Sequence, residues 1–332
     1  DLYRSDWDQD ERSWAFSTLP LVEADEALLR QAVEQTLSYR AEVTSLARQL
    51  EESLNRRFIE IYGVSGLLRP DVPIEDIALK GNHRSRFPVL DAAVSREAAA
   101  TDLTRDLLSF AVGCMFGRYS LDVPGLVLAD QGATVQDYLA RVPQPTFMPD
   151  GDNVLPIVDG DWFEDDIVAR FRQFLRAAFG EDCFEENLRF VTESLGVKDI
   201  RDYFVKSFYK DHVQRYKKRP IYWLFSSPKG SFNALIYMHR YTPSTVSTVL
   251  NEYLREFQAK LKASLENAER SNNAKEADRL RKVLVELEAY EQDVLYPLAT
   301  QQISIDLDDG VKTNYPKLGA ALKRIPGLEK ED

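Results

Sequence analysis

Cysteine is scarce in this chain: there are two, Cys114 and Cys183, and three histidines, His83, His212 and His239, all far apart. That scatter excludes a disulfide framework and gives no zinc spacing, and it points to a reducing, cytoplasmic setting. No apolar run approaches the roughly 18 residues of a membrane span. The longest, LLSFAVGCMF at 107–116, reads as a buried helix, so no membrane partner is expected. Pro-Pro is absent, and with it the (Asp/Asn/Ser)-Pro-Pro-(Tyr/Phe) motif that holds a flipped adenine for methylation at its amino group. No Asp/Glu-x-Lys triplet supports nuclease chemistry, no nucleophile elbow supports acyl transfer, and no glycine-rich turn follows a strand. Gly113 and Gly117 sit inside the apolar run rather than in a phosphate loop. The acids at Asp306, Asp308 and Asp309 lack the remaining ligands of a calcium loop, and Glu164 to Asp166 suit a helix N-terminus. No catalytic, cofactor or metal residue is assigned.

What remains is an ordinary globular composition over 332 residues, 44% hydrophobic and 29% charged. The chain opens on DLYRSDWD without Met, which reads as part of a longer polypeptide. In the first arm Trp7, Trp14 and Phe16 are placed to staple it to a body. Apolar residues at helical spacing, from Leu28 through Leu46, Leu50, Leu54 and Phe58, predict a long amphipathic helix over about 25–61. Further helices are expected over 101–116, 161–179, 183–195 and 204–213. Residues 117–156, rich in Gly, Pro and Asp, read as irregular. Residues 244–268 and 274–295, broken at Ser271-Asn-Asn273, predict an antiparallel helical hairpin with a coiled-coil-like seam, and a turn-rich tail folds back after it. The expected fold is α+β and mainly helical, with long amphipathic helices and a small β-hairpin. It divides into a helical region with the arm and long helix (1–200), a basic aromatic hairpin segment (201–243), and the helical hairpin with its tail (244–332).

The chain is acidic, with Lys+Arg 42 against Asp+Glu 54 and a net charge of -12. One segment reverses this sign. Between Lys206 and Thr242 there are eight Lys/Arg, nine aromatics and the single acid Asp211. Within it, 220–225 and 231–238 are β-like and flank the turn Ser226-Ser-Pro-Lys-Gly230. Clustered cations that oppose the global charge mark a polyanion surface. Lys217, Lys218 and Arg219 precede the hairpin, Lys229 sits at its tip and Arg240 follows its second strand. A two-stranded ribbon is narrow enough for the major groove of duplex DNA. The plainer alternative is that these cations solvate a sheet edge and that Tyr222, Trp223, Phe225, Phe232 and Tyr237 are core. A second basic cluster, Lys80, Arg84 and Arg86, lies in a loop-like stretch around His83.

Several stretches resemble one known family. They are SDWDQDERSWAFSTLPL (5–21), RFIEIYGV (57–64) with RPDVPIEDIAL (69–79), SFAVGCMFGRYSLDVPGLVLAD (109–130), YKKRPIYWLFSSPKGSFNALIYMHRYTPSTV (216–246) and ISIDLDDGVKTNYPKLG (303–319). In this order they resemble the C-terminal region of the PglX family, adenine-specific DNA methyltransferases of BREX (bacteriophage exclusion) phage-defence systems. The resemblance implies a parent enzyme that uses S-adenosylmethionine (SAM) to mark host DNA at N6 of adenine. The family's catalytic and SAM motifs lie upstream of the matching stretches, so none transfers to a residue here and no cofactor is expected in this chain. It implies a part that recognises and grips the target, with double-stranded DNA and other BREX proteins as partners. Acidic phage proteins that mimic DNA would compete for the same surface. The rival reading is a protein-interaction scaffold that docks other BREX components through the 244–295 helical hairpin.

Overall fold

The computed structural model describes residues 1–24 and 26–328. Among its helices are α1 (Leu2–Trp7), α2 (Leu29–Ile61), α3 (Ala92–Met115), α4 (Val135–Arg141), α5 (Ile167–Phe179), α6 (Phe184–Leu195), α7 (Tyr209–Arg215), α8 (Arg255–Arg270), α9 (Ala274–Tyr290) and α10 (Val311–Leu318). The strands are β1 (Val154–Pro156), β2 (Tyr222–Ser226) and β3 (Asn233–Tyr237). The fold is mainly helical α+β, as the sequence pattern predicts. The chain forms two units, one of residues 1–111 and 175–198, the other of 112–174 and 199–332.

In the first unit α2 changes character along its length. Its N-terminal half buries Leu29, Ala32, Val33 and Leu37, and Asn187 of α6 caps its start by accepting from the Leu29 N–H at 2.8 Å. Beyond Ala47 the apolar residues Leu50, Leu54, Phe58 and Ile61 are solvent-exposed. The helical period is therefore right, but only half of the apolar stripe is core. The arm behaves differently from expectation as well. Phe16 is buried edge-on against Phe110 at 6.3 Å, whereas Trp14 is 98% exposed and staples nothing.

The second unit is built on a three-stranded antiparallel sheet of order β1-β3-β2, with Leu155, Leu235 and Leu224 in register. Every strand residue is buried. The strands are near-continuous apolar runs because both faces are covered. Phe116 stacks on Tyr222 at 5.2 Å and Trp223 meets Tyr315 edge-on at 4.9 Å, and Tyr222, Trp223, Phe225, Phe232 and Tyr237 are all core. β1 and α4 fall in the stretch that reads as irregular from composition. The strand is too short, at three residues, to carry a pattern of its own. The tail returns to the sheet, where Leu322 bridges Phe225 and the Lys323 N–H donates to Leu224 O at 2.8 Å.

α8 and α9 form the helical hairpin. Asn272 turns the chain at φ 55°, and the Asn273 side chain caps α9 by accepting from the Glu276 N–H. Ion pairs Arg255–Glu291, Lys262–Glu288 and Arg281–Glu269 step in opposite directions along the two helices and fix the antiparallel register. The seam residues Phe257, Leu261, Leu280, Leu284 and Leu287 are buried.

His212 of α7 is enclosed in this core. Its Nε2 accepts from the Tyr222 N–H at 3.2 Å, and its ring stacks on Tyr222 at 4.7 Å. Burial, with Arg215 and Arg118 adding to it, pushes its pKa down from 6.5 to about 3. The unfolded chain takes this proton near 6.5 and the folded chain refuses it until about 3. The contribution to stability is therefore complete above the unfolded value and is lost as pH falls through that window, at about 1.4 kcal/mol per pH unit. His212→Gln, which can accept the Tyr222 N–H without titrating, flattens the acid limb of a melting-temperature profile. An unchanged limb in that variant would assign the acid sensitivity to other groups.

Candidate nucleic-acid interface

The helical stretch from Ile200 through α7 passes one π turn, Phe204–Phe208, and ends in a Schellman-type cap. The Lys218 N–H reaches back to Val213 O at 2.8 Å and the Lys217 N–H to Gln214 O at 3.0 Å. Such a cap needs a left-handed residue and usually recruits glycine. Here lysines occupy it, with Lys217 at φ 50° and Lys218 at φ 61°. Two consecutive left-handed non-glycine residues cost roughly 1–2 kcal/mol each. Lys217, Lys218 and Arg219 are all exposed, and among the described residues none of them enters an ion pair. Their charges also sit at the helix C-terminus, where the backbone dipole favours cations.

The hairpin tip is held from outside the sheet. Glu286 of α9 is buried and accepts from Ser227 Oγ at 2.6 Å, the Lys229 N–H at 2.7 Å and Ser231 Oγ at 2.5 Å. Burial pushes this carboxyl up, but the donors from Ser227, Ser231 and Lys229 outweigh it and hold it below the usual glutamate range. The anchor fixes the backbone of Lys229 while its side chain stays exposed. Glu286→Gln removes the charge from three hydrogen bonds and is expected to lower stability by about 1–3 kcal/mol. A denaturant midpoint unchanged from wild type would show that the tip is held by the sheet alone.

Lys229 also borders a groove of about 420 Å³, together with Lys206, Lys210, Lys323 and Arg324. Among the described residues five cations and no carboxylate line it. Lys206 pairs with Asp202 at 2.5 Å on the same helical stretch. Lys206 and Lys210 carry a signal in the sequence, an i, i+4 spacing that puts both on one helix face. Lys323 and Arg324 carry none, because only the return of the tail to β2 brings them there.

The other cations singled out in the sequence lie elsewhere. Arg240 is only 7% exposed, and its guanidinium donates to the carbonyls of Asp150 at 2.9 Å, Gly151 at 3.0 Å and Phe116 at 3.3 Å. It is a buried clamp, not a surface contact. In the first unit Lys80 bonds Asp10 at 2.9 Å, Arg84 bonds Glu75 at 2.8 Å and Arg86 bonds Asp102 at 2.5 Å. Arg12 and Lys80 outweigh the effect of burial and hold the Asp10 carboxyl well below its ordinary value. The loop cluster is thus internally neutralised. Among the described residues no group of three or more His, Cys, Asp or Glu is arranged to hold a metal ion. No helix among them is long and apolar enough to cross a membrane.

No protein-family model matches the chain. It is 34% identical over 355 residues, 99% of its length, to the adenine-specific methyltransferase BrxX of Escherichia coli O9:H4 (strain HS). It is also 34% identical over 352 residues, 98% of its length, to the adenine-specific methyltransferase PglX of Lacticaseibacillus casei (strain Zhang). The chain spans 29% and 27% of the length of these two relatives.

Proposed function

We propose that this chain is the DNA-gripping and target-recognition part of a BREX-type adenine-specific DNA methyltransferase, an enzyme that uses SAM at a site formed by other residues of the parent protein. The observation that carries the reading is the left-handed Lys217-Lys218 cap with Arg219, three exposed cations in an acidic chain. Lys229 and the groove it borders, lined by five cations, extend the same chemistry. Phosphate contacts position a protein on duplex DNA, and base edges read by neighbouring side chains specify the site. Similarity to two adenine-specific methyltransferases along nearly the whole chain supports the enzyme class. The setting is cytoplasmic, where chromosomal DNA and the other BREX proteins would be its partners. An acidic phage protein that mimics DNA would compete with duplex for these cations, and simultaneous binding of both would refute a shared surface.

Duplex binding measured by fluorescence anisotropy across a salt series tests the grip, and calorimetry with SAM tests the division of labour. Salt-dependent duplex binding without SAM binding supports the reading. Clear SAM binding to this chain would place the cofactor site within it and overturn that part.

The scaffold reading rests on a different element from the one the sequence suggests. The seam of the α8–α9 hairpin is buried, with Val285 exposed beside it. The exposed apolar row is instead Leu46, Leu50, Leu54, Phe58 and Ile61 on α2. Aggregation or lost assembly on changing that row, with duplex binding intact, would favour docking as the role of the first unit.

A further inference from the structure

We infer that the groove beside the hairpin tip is a binding site for a nucleoside phosphate, taken either as a free nucleotide or as one unstacked nucleotide of a DNA strand. Three observations lead there. The first is shape. Phosphate contacts along an intact duplex need only a convex or flat basic surface, whereas this is a hollow of about 420 Å³. That lies within the roughly 300–1,000 Å³ of small-ligand sites.

The second is the division of its lining. The buried lining residues are Leu224, Ile325, the ring of Tyr209 and the polar side chain of Asn233, joined by the half-buried Val205 and Val213. The exposed ones include Lys206, Lys210, Lys229, Lys323 and Arg324, with the amide of Gln214 and the ring of Pro326 among them. An inorganic anion would use the cations and leave the largely apolar floor wet, and an apolar ligand would use the floor and none of the cations. A nucleoside phosphate uses both, with its base on the floor, its phosphate on the rim and an amide within the same hollow for a base edge.

The third is rigidity. The Lys323 N–H is tied to Leu224 O at 2.8 Å, the Tyr315 hydroxyl donates to the Lys323 carbonyl, and Glu286 fixes the backbone at Lys229. Walls held this way bind without a large ordering cost. The inference stands apart from the duplex grip, since Lys217, Lys218 and Arg219 do not line the groove.

The test compares this chain's affinity for a short fluorescein-labelled oligothymidine with that for an abasic strand of the same length. The base-bearing strand is expected to bind at least about fivefold more tightly. Val213→Trp, which fills the floor without changing charge, abolishes that difference. Lys210→Ala/Lys323→Ala weakens both strands. If circular dichroism shows Val213→Trp unfolded, Val205→Trp takes its place. Displacement of the strand by deoxyadenosine monophosphate assigns the site to free nucleotides, and resistance to displacement assigns it to a strand. Lys217→Ala/Lys218→Ala/Arg219→Ala should lose duplex affinity yet keep the base-dependent difference, which separates failure of the grip from failure of the groove. Equal binding of the two strands, or a difference that survives folded Val213→Trp and Val205→Trp, would overturn the inference.

Discussion

Replacing Lys217, Lys218 and Arg219 together with alanine is expected to weaken duplex binding by an order of magnitude or more at moderate salt and to flatten its salt dependence. Each lost phosphate contact removes roughly 0.9 from the slope of log affinity against log salt, so three remove roughly 2.7. The weakening should be similar on every duplex sequence, because phosphate contacts carry no base information. A loss confined to one sequence would instead make one of the three a base reader. The left-handed cap supplies a control that separates charge from fold. Glycine at 217 and 218 suits φ 50° and φ 61° better than lysine does. Lys217→Gly/Lys218→Gly should therefore melt no lower than wild type while still losing duplex affinity. Alanine at these positions keeps the backbone strain and glycine relieves it. A binding loss shared by both versions belongs to the charges alone. If neither version changes binding, these residues are only a solvated helix end.

The sequence made some of this surface legible and concealed the rest for identifiable reasons. Local reversal of charge sign picks out Lys217 to Arg219 and Lys229, because electrostatic clustering along the chain needs no knowledge of tertiary contacts. It also picks out Arg240, which lies in the same basic run, and there composition misleads. A guanidinium that donates to three carbonyls cannot be told from one facing solvent until the chain folds around Asp150 and Gly151. Lys323 and Arg324 show the opposite failure. They are distant in sequence from the hairpin, and only the antiparallel bridge between Leu322 and Phe225 brings them to its side. Periodicity identifies α2 but not the point where its apolar stripe leaves the core, since the period of Leu50, Leu54 and Phe58 matches that of the buried half. β1 is invisible for a related reason: three residues acquire strand geometry only by pairing with β3.

Arg240→Ala should be the most damaging single substitution among the basic residues of the 206–242 segment, and its damage should depend on pH. The change strands the carbonyls of Phe116 and Asp150 inside the second unit and removes the donor to that of Gly151 at its surface. Hydrogen bonds from a charged donor contribute about 1.5–3 kcal/mol each, so a loss on the order of 3 kcal/mol or more is expected. Arg240 also acts on the Asp150 carboxyl. Burial, reinforced by Asp152, raises the pKa of Asp150 from 3.8 to about 7, and Arg240 opposes that rise. A carboxyl whose folded pKa is raised binds its proton more readily in the folded chain than in the unfolded one. Its contribution to stability is thus greatest below the unfolded value and declines as pH climbs through about 7. Removing Arg240 withdraws the cation that makes ionised Asp150 tolerable, so Arg240→Ala should lose more stability above that pH than near pH 5. Arg240→Ala/Asp150→Asn should show much less of that extra loss. Denaturant titrations at the two pH values read the difference directly. A penalty equal at both would mean that Arg240 acts on the carbonyls alone, and a variant that keeps full stability but loses duplex affinity would return Arg240 to the DNA surface.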